Sequence, residues 1–173
     1  MKLTEHFTKD ELIYSDTANI YHIDNEPNDV QLKTLIHTCD YLLEPLRKLL
    51  NEEYKFYKNE KVKNVIIKIT SGFRCVTLNR KIGSKDNSQH VTGEAVDFDV
   101  VLILENGKRI TLPHTETYTF IKHKIKKGDL SADQVICETS NGAYWVHASY
   151  KASGDSKNRK QFLIYKNGKY ITD

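Results

Sequence analysis

Apolar residues follow two different rhythms along this chain. Between residues 28 and 50, Val30, Leu32, Leu35, Ile36, Leu42, Leu43, Leu46, Leu49 and Leu50 recur at offsets of three and four. That spacing predicts one face of a long amphipathic helix. Pro45 lies inside the run and has no N–H to give the helix ladder, so a kink or division near Leu43 is expected. Upstream, Thr8 and Glu11 are spaced as a capping box opening a short helix to Tyr14, and residues 15–27 read as a turn-rich loop.

Beyond residue 64 the pattern changes to short β-branched and aromatic runs. Val65-Ile66-Ile67-Lys68-Ile69-Thr70 predicts a buried strand, and residues 75–82 a short helix after Ser71-Gly72-Phe73-Arg74. Further strands are expected at residues 95–104, 109–112, 135–138, 144–150, 162–165 and 169–171. Asn106-Gly107, Asn141-Gly142 and Asn167-Gly168 fall between pairs of them, each a hairpin signal. Residues 115–126 place Tyr118, Ile121 and Ile125 on one helical face, and residues 151–160 read as an exposed polar loop. Helices first and antiparallel hairpins later indicate an α+β fold.

At 173 residues the chain suits a single domain, residues 1–173, with room for a real core. Its 26 Lys+Arg against 23 Asp+Glu leave a charge of +3, so no global field selects a nucleic acid or a membrane. The Lys-rich stretches 55–68 and 122–127 lack interleaved aromatics and read as solvated faces, so no nucleic-acid partner is expected. No apolar run approaches membrane-span length, and the first residues lack the apolar core of a signal peptide. A monomer made in the cytoplasm, without membrane insertion, is the expectation. Cys39, Cys75 and Cys137 are scattered outside any CxxC pattern and read as reduced, mostly buried small hydrophobes.

Candidate chemistry gathers around two of the seven histidines. His90 precedes Gly93, and Asp97 follows in an otherwise apolar strand, where a carboxylate is costly unless hydrogen-bonded, paired or bound to a metal. His147 lies in the aromatic strand with Trp145 and Ser149 on its own face. Two imidazoles and a carboxylate with an open fourth position make a catalytic zinc site. By spacing alone, a hydrogen-bonded core pair explains His90 and Asp97 equally well.

Four blocks in order carry a resemblance to a known family. They are Leu3-Thr4-Glu5-His6-Phe7-Thr8 with Glu11-Leu12 and Ser15-Asp16; Ser71-Gly72-Phe73-Arg74 with Leu78-Asn79; Ser88-Gln89-His90 through Gly93-Glu94-Ala95 to Asp97; and Asp133-Gln134-Val135-Ile136-Cys137-Glu138 with Trp145-Val146-His147. The chain resembles the zinc D-Ala-D-Ala carboxypeptidases, the LAS metallopeptidases that include DD-peptidases, phage endolysins and the hedgehog domain. The resemblance implies an antiparallel sheet carrying the zinc, with helices on one side. It also implies Zn2+ held by His90, Asp97 and His147, and a peptidoglycan peptide as substrate. Arg74, ending a strand, suits a substrate carboxylate or a developing oxyanion, and Ser88, Gln89 and Trp145 are candidate substrate contacts. Glu138 is the expected general base, although many relatives carry that acid where Tyr144 stands here. Glu94 competes, but strand alternation turns it away from Asp97 and toward solvent. The expected activity is a D-Ala-D-Ala carboxypeptidase or a peptidoglycan endopeptidase, with a noncatalytic zinc-bearing domain as the alternative. The expected setting is the bacterial cell wall, reached by phage-mediated release.

Overall fold

The leucine-rich run folds into a helix divided at its proline, as seen in a computed structural model that describes all 173 residues. Asn28 caps α3 (Asp29–Thr38) through a reciprocal box with Gln31, both bonds at 2.9 Å. The helix then widens into a π-helical turn, Cys39–Leu43, before α4 (Glu44–Glu53). Pro45 cannot donate to the carbonyl one turn back, and the wider turn carries the chain past that gap. Leu35, Leu42, Leu43, Leu46 and Leu50 are fully buried, while Val30, at the start of the stripe, is exposed.

The capping box of α1 (Lys9–Ile13) forms as expected. Residues 15–27 are not wholly a loop: Ser15 accepts the Ala18 N–H at 3.2 Å and opens α2 (Asp16–Ile20). The first long strand also starts earlier than the apolar run. It turns back from β1 (Phe56–Tyr57) through Lys58 and Asn59, both at positive φ, and extends over β2 (Glu60–Ser71). After α5 (Val76–Lys81) and α6 (Gln89–Thr92) come β3 (Ala95–Leu104), β4 (Arg109–Thr111) and α7 (His114–Lys127). The chain ends in β5 (Gln134–Ser140), β6 (Ala143–Ser149), β7 (Gln161–Lys166) and β8 (Lys169–Thr172).

All eight strands join one sheet, in the order β1-β2-β3-β6-β5-β7-β8 with β4 also on β3. Every pair is antiparallel except β5 with β7, so the sheet is mixed rather than purely antiparallel. The cause is the stretch 150–160. It leaves β6, crosses the end of β5 and enters β7 on the far side, running in the direction of β5.

Alternation divides the sheet into two faces. Val96, Phe98, Val135, Cys137, Val146 and Ala148 point to the helices and share one core with Leu35, Leu46, Tyr118, Ile121 and Ile125. Asp97, His147, Ile136 and Glu138 occupy the alternate positions, on the opposite face. The three cysteines are unpaired thiols. No helix is long and apolar enough to cross a membrane.

Candidate metal centre and its cleft

Asp97 and His147 are direct partners across β3 and β6, on the sheet face turned away from the helices. His90 reaches them from the four-residue α6, whose N-terminal cap Ser88 accepts the His90 N–H at 3.4 Å. Gly93 ends that helix at φ +80, and a Cβ there would come within 3.0 Å of the Gln31 carbonyl oxygen. The turn therefore aims His90 back over the start of β3.

His90 Nδ1 donates to the Gly72 carbonyl at 2.7 Å, which leaves the Nε2 lone pair facing the cluster. From His90 Nε2 it is 3.3 Å to His147 Nδ1 and 3.3 Å to Asp97 Oδ1, and the last two atoms lie 2.9 Å apart. A tetrahedral zinc with bonds of about 2.0–2.1 Å separates its donors by about 3.3 Å. The three side chains fit that ion in donor type, in spacing and in burial. Burial pushes the His90 pKa down, against the pull of Asp97, which favours the neutral imidazole that a metal requires. Burial alone would raise the Asp97 pKa, but the two imidazoles outweigh it and hold the carboxyl well below the usual carboxylate range.

Arg74 belongs to this centre, though with a different first partner than the sequence suggests. Its Nη2 donates to Asp97 Oδ2 at 2.7 Å, its Nε to Ser71 Oγ at 2.9 Å, and its backbone N–H to the His90 carbonyl at 3.2 Å. These bonds leave Asp97 Oδ1 to the histidines. The arginine thus orients a candidate ligand, and its remaining guanidinium edge lines the cleft.

Glu138 sits one row further along the same face, paired with Trp145 on β6 and Tyr165 on β7. Burial raises its pKa, the Asp97 charge raises it further, and His147 and Arg74 pull it down; the result is pushed up to about 7. No hydrogen bond contributes to that shift, so the carboxyl is within electrostatic reach of the centre but not tied to it. Glu94 is turned away, as alternation predicts, yet it is not solvated. It accepts the Ala152 N–H at 2.9 Å and approaches Lys151 Nζ at 3.6 Å.

An open cleft of about 880 Å³ runs from His90 and His147 past Ser88 and Gln89. Gln89 reaches across to donate to Asp133 Oδ2 at 3.0 Å. Trp145 is half-buried opposite Glu138 and does not line the cleft. Two features escaped the sequence reading. Tyr165 and Tyr170, with ring centres 4.7 Å apart and planes tilted by 44°, form one wall. Arg159, to all appearance an ordinary loop arginine, lines the cleft and is clamped by Asp133, which has no exposed surface. The sequence hint was Asp133 itself, an acid just before an apolar strand.

A search of curated proteins finds no match to this chain. A family model described as peptidase M15 matches residues 5–111, a span that contains Arg74, His90 and Asp97 and ends before Glu138 and His147. Those matched residues are more than half of the chain, and β6 brings His147 to the two ligand-type residues among them; the chain belongs to the peptidase M15 family.

Proposed function

We propose that the protein is a zinc metallopeptidase acting on the stem peptides of peptidoglycan. The observation that carries this reading is the His90–Asp97–His147 triangle with an untethered carboxyl, Glu138, beside it. His90, Asp97 and His147 would hold the ion, which when bound lowers the pKa of water and polarises a carbonyl. Arg74 keeps one oxygen of Asp97 occupied and so fixes the orientation of the other. Glu138 serves as general base, accepting the proton of the attacking water and delivering it to the amide nitrogen that leaves. A carboxyl raised toward neutrality suits both halves of that transfer better than an ordinary exposed glutamate.

The cleft opens to solvent, which leaves room for a bond inside a crosslink as well as for a terminal D-Ala. An enzyme of this shape suits the intact wall, as a phage endolysin or a remodelling peptidase requires. Digestion of purified muropeptides, followed by mass spectrometry, tests the reading. The expected products are shortened peptides on intact glycan strands. His90→Ala should abolish them and release the metal. Reducing sugar ends from purified wall, or zinc-loaded protein inert on every muropeptide, would overturn it.

A further inference from the structure

The formal charges lining the cleft are of one sign only. Arg74, Lys85, Lys151, Lys157 and Arg159 line it, and no Asp or Glu does. Of these cations, Arg74 is bound to Asp97, and Lys151 lies 3.6 Å from Glu94. Lys85 and Lys157 are exposed and have no ion-pair partner.

Arg159 differs from the lysines in being built into place. Asp133 is fully buried, and Arg159 donates to it from Nε at 3.0 Å, from Nη2 at 2.6 Å and from its backbone N–H at 3.0 Å. Gln89, next in sequence to His90, donates to the same carboxylate at 3.0 Å. One buried acid thus fixes the position of the arginine relative to the metal centre. The Arg159 side chain is nevertheless 52% exposed, and its Nη1 is engaged in none of these bonds. A planar fork held this way presents its free edge to the cleft at little further entropic cost, and such an edge matches a carboxylate.

Building on the peptidase reading, we infer that Arg159, with Lys85 and Lys157, forms a subsite for a carboxylate of the substrate peptide remote from the scissile bond. The enzyme therefore selects acidic peptides. Asp133 is the positioning residue of this subsite, and Gln89 links it to the helix of His90.

The test uses two stem-type peptides, identical except that a glutamate carboxylate is free in one and amidated in the other. The zinc-loaded enzyme should cleave the free acid about tenfold better, with the difference in KM rather than kcat. Arg159→Gln should reduce that preference to about twofold or less. That variant leaves Asp133 short of its cation, so its thermal unfolding is followed alongside. The double variant Lys85→Gln/Lys157→Gln keeps the Asp133 pair intact and should weaken the preference even where Arg159→Gln does not fold. A second arm reads binding without turnover, by fluorescence anisotropy of both labelled peptides on zinc-loaded Glu138→Gln protein. It separates the two claims: peptides bound with the stated preference but never cleaved would count against the peptidase reading and support the subsite. Equal binding of free and amidated peptides would overturn the subsite whatever the turnover. So would binding of a polyglycerol phosphate chain by a protein indifferent to the peptide carboxylate.

Discussion

The two ends of the cleft are built from the same pair of side chains. At one end Arg74 Nη2 meets Asp97 Oδ2 at 2.7 Å, and at the other Arg159 Nη2 meets Asp133 Oδ2 at 2.6 Å. Both carboxylates are buried. They differ in how completely they are satisfied. Every bond that Asp133 accepts comes from a guanidinium, a backbone N–H or an amide of the chain, on both oxygens. Asp97 has an arginine on one oxygen only, and on the other two imidazoles, one of which presents a bare nitrogen. A buried charge with all its partners is scaffold, and one whose arrangement calls for another cation is a place for a ligand.

The sharpest way to break that contrast is at Glu138, one row beyond the Asp97–His147 pair on the side away from Asp133. Glu138→Gln should lower kcat by about 10²–10⁴-fold while zinc content stays at the wild-type value, because proton transfer is removed and the three ligand-type side chains are left in place. Elemental analysis and muropeptide kinetics check this, and a fully active Glu138→Gln enzyme with a dead Glu94→Gln would assign the base to the other acid. Next in size is Asp133→Ala. It strands the Arg159 N–H and the Gln89 amide and should destabilise the fold by about 3 kcal/mol in urea unfolding. The same substitution should leave the stoichiometry of bound zinc unchanged, whereas Asp97→Ala should lower metal content.

Acidity separates the carboxyls in another way. In chelated protein the Glu138 pKa lies above its unfolded value, so its contribution is fully present below about pH 4 and is lost as pH rises through about 7. Glu138→Gln should therefore gain stability relative to wild type as pH rises from 4 to 8, by at most about 3 kcal/mol. Asp133 behaves oppositely. Burial would raise its pKa, but the Arg159 bonds and Gln89 hold it below the usual range, so its contribution is present above about pH 4 and fades as pH falls further. Unfolding curves of wild type, Glu138→Gln and Asp133→Asn at matched pH should diverge in opposite directions. The smallest effect concerns the helix that carries His90. Removing its cap with Ser88→Ala should cost about 1 kcal/mol and leave the metal in place.

What could be read from the sequence follows the distance between cooperating residues. His90, Gly93 and Asp97 lie within one turn and the start of one strand, so local rules bring them together. His147 is 57 positions from His90, and only the β3–β6 pairing makes it a neighbour. The divided leucine helix was legible because Pro45 breaks a rule of the backbone itself. The first half of β2 was not, because Lys61, Lys63 and Asn64 alternate with little apolar content. Arg159 was illegible for a topological reason. Its loop gains meaning from the parallel crossing of β7 beside β5, which no Asn-Gly turn announces.

Gly72 ties the start of the chain to the metal centre. A Cβ there would stand 2.2 Å from the Leu12 carbonyl oxygen, while the Gly72 carbonyl receives His90 Nδ1 and the next amide, Phe73 N–H, bonds that same Leu12 oxygen at 2.7 Å. In evolutionary terms the position is closed: any side chain there would drive α1 and His90 apart in a single step. The first dozen residues are therefore part of the mounting of His90, and changes to the start of the chain that displace Leu12 carry through to its orientation.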